Sequence, residues 1–137
     1  MMTDTLFGQE HVERYQATDG AVGHDWRGTT VLLLTTTGRR TGKSYTTPLI
    51  YQEDNGNPIV VASRGGSPEH PDWYKNLVAN PEVQVQIHGE KFTARARTAG
   101  PDEKPALWKK MTATWPAYDE YQTKTSREIP VVILERV

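Results

Sequence analysis

Residues 83–97 read VQVQIH, GE, KFTARAR, and strict alternation of apolar with other side chains on both flanks of a glycine is the pattern of a half-buried β-hairpin. With Gly89 and Glu90 as the central pair of its turn, Val83, Val85, Ile87, Phe92, Ala94 and Ala96 share the face directed at the core. Four further runs rich in strand formers cover residues 30–35, 45–52, 58–63 and 129–135, the last with Pro130 near its start, where a missing amide donor is tolerated. Asp54-Asn55-Gly56-Asn57 supplies the hairpin turn between residues 45–52 and 58–63.

Helical spacing is confined to three pieces. Residues 9–18 place Val12 and Tyr15 on one face, and Gly20, Gly23 and Gly28 form a loop behind them, with Trp26 set to cover a core or a pocket. Residues 71–78 begin with Pro71 and an acid, and Asn80-Pro81 stops them. Residues 101–115 carry Leu107, Trp108, Met111 and Trp115 at helical spacing before Pro116 breaks the run. Six strands that come in groups, not in alternation with helices, predict one mainly β domain over residues 1–137, an antiparallel sheet or barrel with helices outside. The first 25 residues read as a helix and loop appended to it, with room to move.

Sixteen Lys and Arg against seventeen Asp and Glu leave no global field for nucleic acid or an anionic membrane, so any basic site is local. No cysteine is present, which removes thiol nucleophiles and Cys-ligated metals. His11, His24, His70 and His88 lack paired spacing, so no metal site is expected. No G-x-S-x-G elbow exists, Ser63 has no evident base, and the carboxylates are scattered. An enzyme with this inventory borrows its chemistry, and a redox cofactor is the natural lender. No run approaches the ~20 apolar residues of a membrane span, and no leader is visible, so the cytoplasm is the expected compartment.

TTTGRRTGKS, residues 35–44, resembles a phosphate-binding P-loop but has Thr37 where the first glycine belongs, and Tyr45 onward reads as a strand where a helix is required. What remains is a tight turn presenting Arg39, Arg40 and Lys43, with Thr41 and Ser44 adding hydroxyls: either a cradle for phosphate or carboxylate, or charge decorating an exposed turn. Residues 62–67, ASRGGS, close a strand with glycines that let a ligand approach the backbone, or else form a flexible loop. Trp73, Tyr74, Trp115, Tyr118 and Tyr121 are core residues or pocket walls, and the polar stretch around the last two directs at least one phenol outward.

The ordered strings LLTTTGRRTGK, TPL, VASRGG, HPDWYKNL, ANP and WPAYDEYQ, with Thr125, Arg127, Ile129 and Pro130, resemble the deazaflavin-dependent nitroreductase family of actinobacteria over nearly everything after residue 20. The resemblance implies a split β-barrel of the FMN-binding, pyridoxamine-phosphate-oxidase-like kind. It also implies coenzyme F-420, an 8-hydroxy-5-deazaflavin with a phosphate and an oligoglutamate tail, giving hydride to a quinone-like, nitro or other electron-poor acceptor. By matched position, Arg39, Arg40, Thr41, Gly42 and Lys43 would meet the anionic tail, with Tyr45, Thr47 and Pro48 in the same groove. Ala62, Ser63, Arg64 and Gly65 would border the ring system, and Trp73, Tyr74 and Asn76 would hold it from a helix. Tyr118 and Tyr121, with Trp115, would shape the acceptor pocket, where a phenol or Ser63 hydrogen-bonds the acceptor oxygen as charge develops.

Two departures from the better-known nitroreductase stand out: Trp115 replaces a tyrosine, putting bulky nitroimidazoles in doubt, and Tyr45 replaces a tail-binding arginine, with Lys43 nearby to compensate. An FMN-binding reductase on the same barrel and a non-catalytic deazaflavin carrier are the alternatives, while near-neutral charge counts against a single-stranded nucleic-acid module. Two-fold dimers are common for such barrels, and the apolar face of residues 6–15 is short for binding a membrane unaided.

Overall fold

A computed structural model of the chain describes residues 6–137. Its strands are β1 (Asp25–Trp26), β2 (Thr29–Thr37), β3 (Ser44–Ile50), β4 (Gln52–Asp54), β5 (Asn57–Val61), β6 (Glu82–Ile87), β7 (Glu90–Thr98) and β8 (Val131–Arg136). Its helices are α1 (Gly8–Thr18), α2 (Asp72–Ala79), α3 (Lys104–Thr114) and α4 (Ala117–Thr123). All strand pairs are antiparallel, in the order β1-β2-β6-β7-β8-β5-β4, with β3 on the other side of β2. Only Tyr51 separates β3, which pairs with β2, from β4, which pairs with β5, so one bent segment joins both ends of the sheet and curls it into a barrel.

Sequence dictates which faces are filled. β2 is TTVLLLTTT, and its residues Val31 through Leu34 are all buried because both faces are covered. Leu32 and Leu34 enter the barrel with Val60, Val83, Val85, Ala94, Ala96, Val132 and Leu134, while Leu33 packs under Val12 and Tyr15 of α1. Full burial of such a leucine contributes about 2 kcal/mol. A second core lies outside the sheet, where Ile59, Val61, Val131 and Ile133 meet Leu107, Met111 and Tyr118 of α3 and α4.

The 83–97 hairpin forms with its apolar face inward as the alternation requires, but the turn pair is His88-Gly89, one residue earlier than expected. His88 takes a positive φ of 53°, as the first central residue of a two-residue hairpin turn does, and Tyr15 reaches over from α1 so that its phenol oxygen accepts the His88 N–H at 2.8 Å. The same hydroxyl donates to the Gln86 carbonyl at 3.3 Å, so α1 is tied to the barrel through its buried tyrosine. The Asn55-Gly56 turn forms as the sequence predicts, both residues at positive φ.

The predicted strand over 45–52 divides at Tyr51 into β3 and β4, and that over 58–63 ends at Val61, where the chain leaves the sheet as a short 3-10 turn, Arg64–Gly66. The strand expected from Ile129 starts at Val131. The polar stretch after Pro116, to which the sequence assigned no element, forms α4: Trp115 caps α3 at φ −138° and ψ 86°, and the chain re-enters a helix with Asp119 and Glu120 in its first turn, where carboxylates suit the helix dipole.

Candidate functional site

Between β2 and β3 the chain turns over residues 38–43. The Gly38 N–H donates to the Lys43 carbonyl at 2.7 Å, the Gly42 N–H donates to the Gly38 carbonyl at 2.9 Å, and Gly42 sits at φ 72°. Gly38 is demanded by packing, since a Cβ there would lie 2.6 Å from Tyr45 Cε2 and 2.7 Å from Thr41 Oγ1. Thr41 and Tyr45 share a hydroxyl hydrogen bond of 2.9 Å, so the tyrosine braces the turn.

Arg39 is held from α2. Asn76, 4 % exposed, accepts both the backbone N–H of Arg39 and its Nη1, and its own amide donates to Thr36 Oγ1 at 3.4 Å. Asp72 in the first turn of α2 lies 3.6 Å from Arg39 Nη2. Arg40 and Lys43, by contrast, are exposed, and their side chains pair with nothing among the described residues. A cleft of about 670 Å³ opens here, walled by residues 38–41 and 44–47, by Asp72, Trp73 and Asn76, and by Gln9, Val12 and Gln16 of α1.

A second cleft of about 570 Å³ adjoins it, and Thr47, Asp72 and Trp73 line both. Its walls are Pro48, Leu49 and Ile50 of β3, Ser63, Arg64 and Gly65 at the end of β5, Phe7, His11 and Trp26 from the N-terminal side, and Trp115, Tyr118 and Tyr121. The rings of Trp26 and Trp115 stack across it at 6.1 Å and 24°, and Trp26 Nε1 donates to the Leu6 carbonyl at 2.9 Å. Tyr118 and Tyr121 meet edge to face at 6.1 Å, and the Trp108 indole N–H donates to Asp119 at 2.8 Å, fixing α4 against α3. Tyr118 is 5 % exposed, and burial pushes its phenol well above the ordinary tyrosine value, so it keeps its proton throughout the neutral range.

The groove thus collects Arg39, Arg40, Thr41, Tyr45, Thr47, Pro48, Ser63, Arg64, Gly65, Trp73, Asn76, Trp115, Tyr118 and Tyr121. Ala62 is fully buried and lines neither cleft. Tyr74 also points away: its hydroxyl bonds Thr98 Oγ1 at 2.8 Å and its ring leans on His70. Gly42 and Lys43 occupy the exposed far end of the turn, beyond both linings.

Sequence reasoning did not assign α1 to the site, although Gln9 and Gln16 stand one helical turn either side of the Val12 position and offer the polar edge of an otherwise buried face. Nor did it assign Asp72 or Arg127 a role. Arg127 donates to the carbonyls of Ala62, Ser63 and Ser67 and to His70 Nδ1, beneath the groove's rim. Its one sequence signal is position, an arginine two residues before the Ile129-Pro130 pair.

A family profile described as F-420H2-dependent quinone reductase matches residues 7–136. An F-420H2-dependent quinone reductase of Mycobacterium tuberculosis is 39 % identical over 130 residues, covering 92 % of this chain and 87 % of that protein. The solved structure of an F-420H2-dependent reductase called FDR-A is 44 % identical, with a TM-score of 0.72 over 80 % of this chain and 95 % of its own. A domain-swapped dimer is 43 % identical, with a TM-score of 0.75 over 93 % of this chain and 96 % of its own.

Proposed function

Since this chain belongs to the F-420H2-dependent quinone reductase family, we propose that it passes hydride from reduced F-420 to a quinone-like acceptor, with the cationic cleft holding the cofactor's anionic arm and the aromatic cleft its ring and the acceptor. The observation that carries this division is the continuity of the two clefts through Thr47 and Trp73: one groove with guanidinium at one end and indole and phenol at the other. The residues present fit such a cofactor. Arg39 is immobilised by Asn76 and is a quarter exposed, which leaves part of its fork for phosphate or carboxylate, and Arg40 stands free beside it. Asp72 sets a limit, because its carboxylate already neutralises part of Arg39 and repels an anion placed on its side.

When bound, the reduced deazaflavin supplies a hydride equivalent, so the protein supplies position and surroundings. Trp73 forms the floor where the clefts meet, and the stacked Trp26 and Trp115 exclude water from the acceptor end. Tyr118, protonated at neutral pH, is suited to donate a hydrogen bond to the acceptor oxygen as negative charge grows there, with Tyr121 and Ser63 on the same wall. Nitro compounds present the same oxygen chemistry and fall within the reading. Trp115 narrows the mouth and disfavours bulky ones. The swapped relative supports a homodimer. No helix among the described residues is long and apolar enough to cross a membrane.

Fluorescence titration with F-420 and separately with FMN, followed by oxidation of the reduced cofactor with menadione, tests the proposal. Binding of F-420 with turnover supports it. Tight FMN binding in the absence of F-420 binding overturns it, and F-420 binding without turnover of any acceptor points to a carrier.

A further inference from the structure

We propose that Arg127 is the positioning residue of the site, a strut that sets the conformation of the Ser63, Arg64, Gly65, Gly66 rim and through it the placement of α4. The proposal rests on the reading of the groove as the F-420 and acceptor site. Arg127 lies on the loop between α4 and β8 and is not itself part of either cleft lining. Its guanidinium nonetheless makes four hydrogen bonds: Nε to the Ser67 carbonyl at 2.8 Å, Nη2 to the Ser63 carbonyl at 2.8 Å, Nη1 to the Ala62 carbonyl at 3.3 Å and to His70 Nδ1 at 3.0 Å.

Every one of these acceptors is neutral. An arginine that stabilised the fold as half of an ion pair would face a carboxylate; this one spends four of its five donors on three carbonyls that bracket a single turn and on the imidazole that follows it. The turn it brackets has two backbone hydrogen bonds of its own, from the Gly66 N–H to the Ser63 carbonyl at 2.9 Å and from the Ser67 N–H to the Arg64 carbonyl at 3.1 Å, yet its backbone is strained. Arg64, Gly65 and Gly66 lie successively at φ 45°, 64° and 86°, and a left-handed conformation is uncommon for a residue with a side chain such as Arg64.

The rim in turn fixes α4. A Cβ on Gly66 would stand 2.7 Å from the Tyr121 carbonyl oxygen and 3.0 Å from Lys124 Cβ, so the turn lies directly against the last residues of that helix. Gln122 closes the circuit, its amide nitrogen donating to the Arg127 carbonyl at 2.8 Å and its oxygen accepting the Ile129 N–H at 3.0 Å. One guanidinium thereby links the residues that border one side of the aromatic cleft with the helix that carries its two phenols.

The test uses the full chain with Arg127→Ala and Arg127→Lys. Amide exchange followed by mass spectrometry should accelerate by about tenfold or more across residues 63–67 in the alanine variant, as expected for loss of hydrogen bonds to a charged donor, with β2, β6 and β8 unchanged. The F-420 dissociation constant, read by fluorescence, should rise by at least ~10-fold, with Arg127→Lys intermediate because one ammonium reproduces the charge but not the fork. Millimolar guanidinium should restore part of the alanine variant's binding, where the same concentration of methylammonium does not. Unaltered exchange over residues 63–67, or an unaltered dissociation constant in the alanine variant, overturns the proposal. Should the alanine variant fail to fold, the lysine variant gives the same two readouts. A wild-type chain that does not bind F-420 overturns the functional reading instead, and the exchange measurement then decides the strut by itself.

Discussion

Asn76 Oδ1 receives both ends of Arg39, the backbone N–H at 3.2 Å and the guanidinium Nη1 at 2.8 Å, so one amide oxygen on a helix sets the direction of a cation in the facing turn. Asn76→Ala should leave the barrel folded but free the arginine. The loss of a buried hydrogen-bonding group costs about 1–3 kcal/mol of stability. Cofactor affinity should fall and its salt dependence flatten, in the direction expected of the Arg39→Ala, Arg40→Ala double variant, when both are titrated across ionic strengths. Unchanged affinity would remove Arg39 from the anion site.

The Tyr118 phenol keeps the proton it would donate, because burial raises its pKa. Tyr118→Phe should therefore lower kcat by about 100- to 1000-fold while leaving F-420 binding in place, as for removal of one oxyanion donor. The profile of kcat against pH should show no ionisation of the Tyr118 phenol below pH 10 in the wild type. Equal kcat in the wild type, Tyr118→Phe and Tyr121→Phe for every acceptor tried would place the hydrogen-bond donor to the acceptor elsewhere.

Trp115 stacks on Trp26 across the mouth of the aromatic cleft. Replacing the larger indole with a phenol widens that mouth. Trp115→Tyr should raise kcat/KM for a bulky nitroimidazole relative to menadione by about 5- to 10-fold, the scale of discrimination that one wall of a pocket supplies. A ratio that stays constant would show that the wall does not select acceptors.

Stability should decline as the solution is acidified through the range where free histidine titrates. His24 and His70 both hold their protons less readily than the ordinary value of 6.5, in each case chiefly through burial. Asp25 opposes the shift at His24, and Arg127 reinforces it at His70. A lowered folded-state value means that the unfolded chain takes up protons first, so stability is complete above 6.5 and is lost as the pH falls below it. Melting temperature should drop between about pH 7.5 and pH 5.5, and His70→Gln should flatten that slope. Glu103, held down to about 2 by Arg97, titrates below this window and does not contribute to it.

Where side-chain order repeats, the sequence was enough. The 83–97 hairpin follows from period two, its turn one residue earlier than expected, and the strand β2 from an apolar run flanked by threonines, whose burial on both faces only the fold reveals. α4 was not legible, because seven residues span too little helix to show a period and its buried side is a single residue, Tyr118. The division of residues 45–52 was hidden because Tyr51 suits a strand as well as its neighbours do; only the positions of β2 and β5 make it the point where the segment changes partner. The arginines of the 38–43 turn were visible, but their ranking was not: Arg39 is fastened by Asn76, 37 positions away, while Arg40 and Lys43 extend from the surface. Arg127 escaped for the same reason, since its acceptors lie 57 to 65 positions upstream.

Closure of the sheet through Tyr51 bears on how the chain reaches its native state. The ring depends on β2 meeting β6, as in Leu34 opposite Val85, and on β5 meeting β8, as in Val60 opposite Val132. Contacts so far apart in the chain give a high contact order, so folding should take milliseconds to seconds, not microseconds, with loop-closure entropy setting much of the barrier. Until those pairings form, the 38–43 turn and the aromatic wall share no scaffold, so a newly made chain should acquire both ends of its groove together.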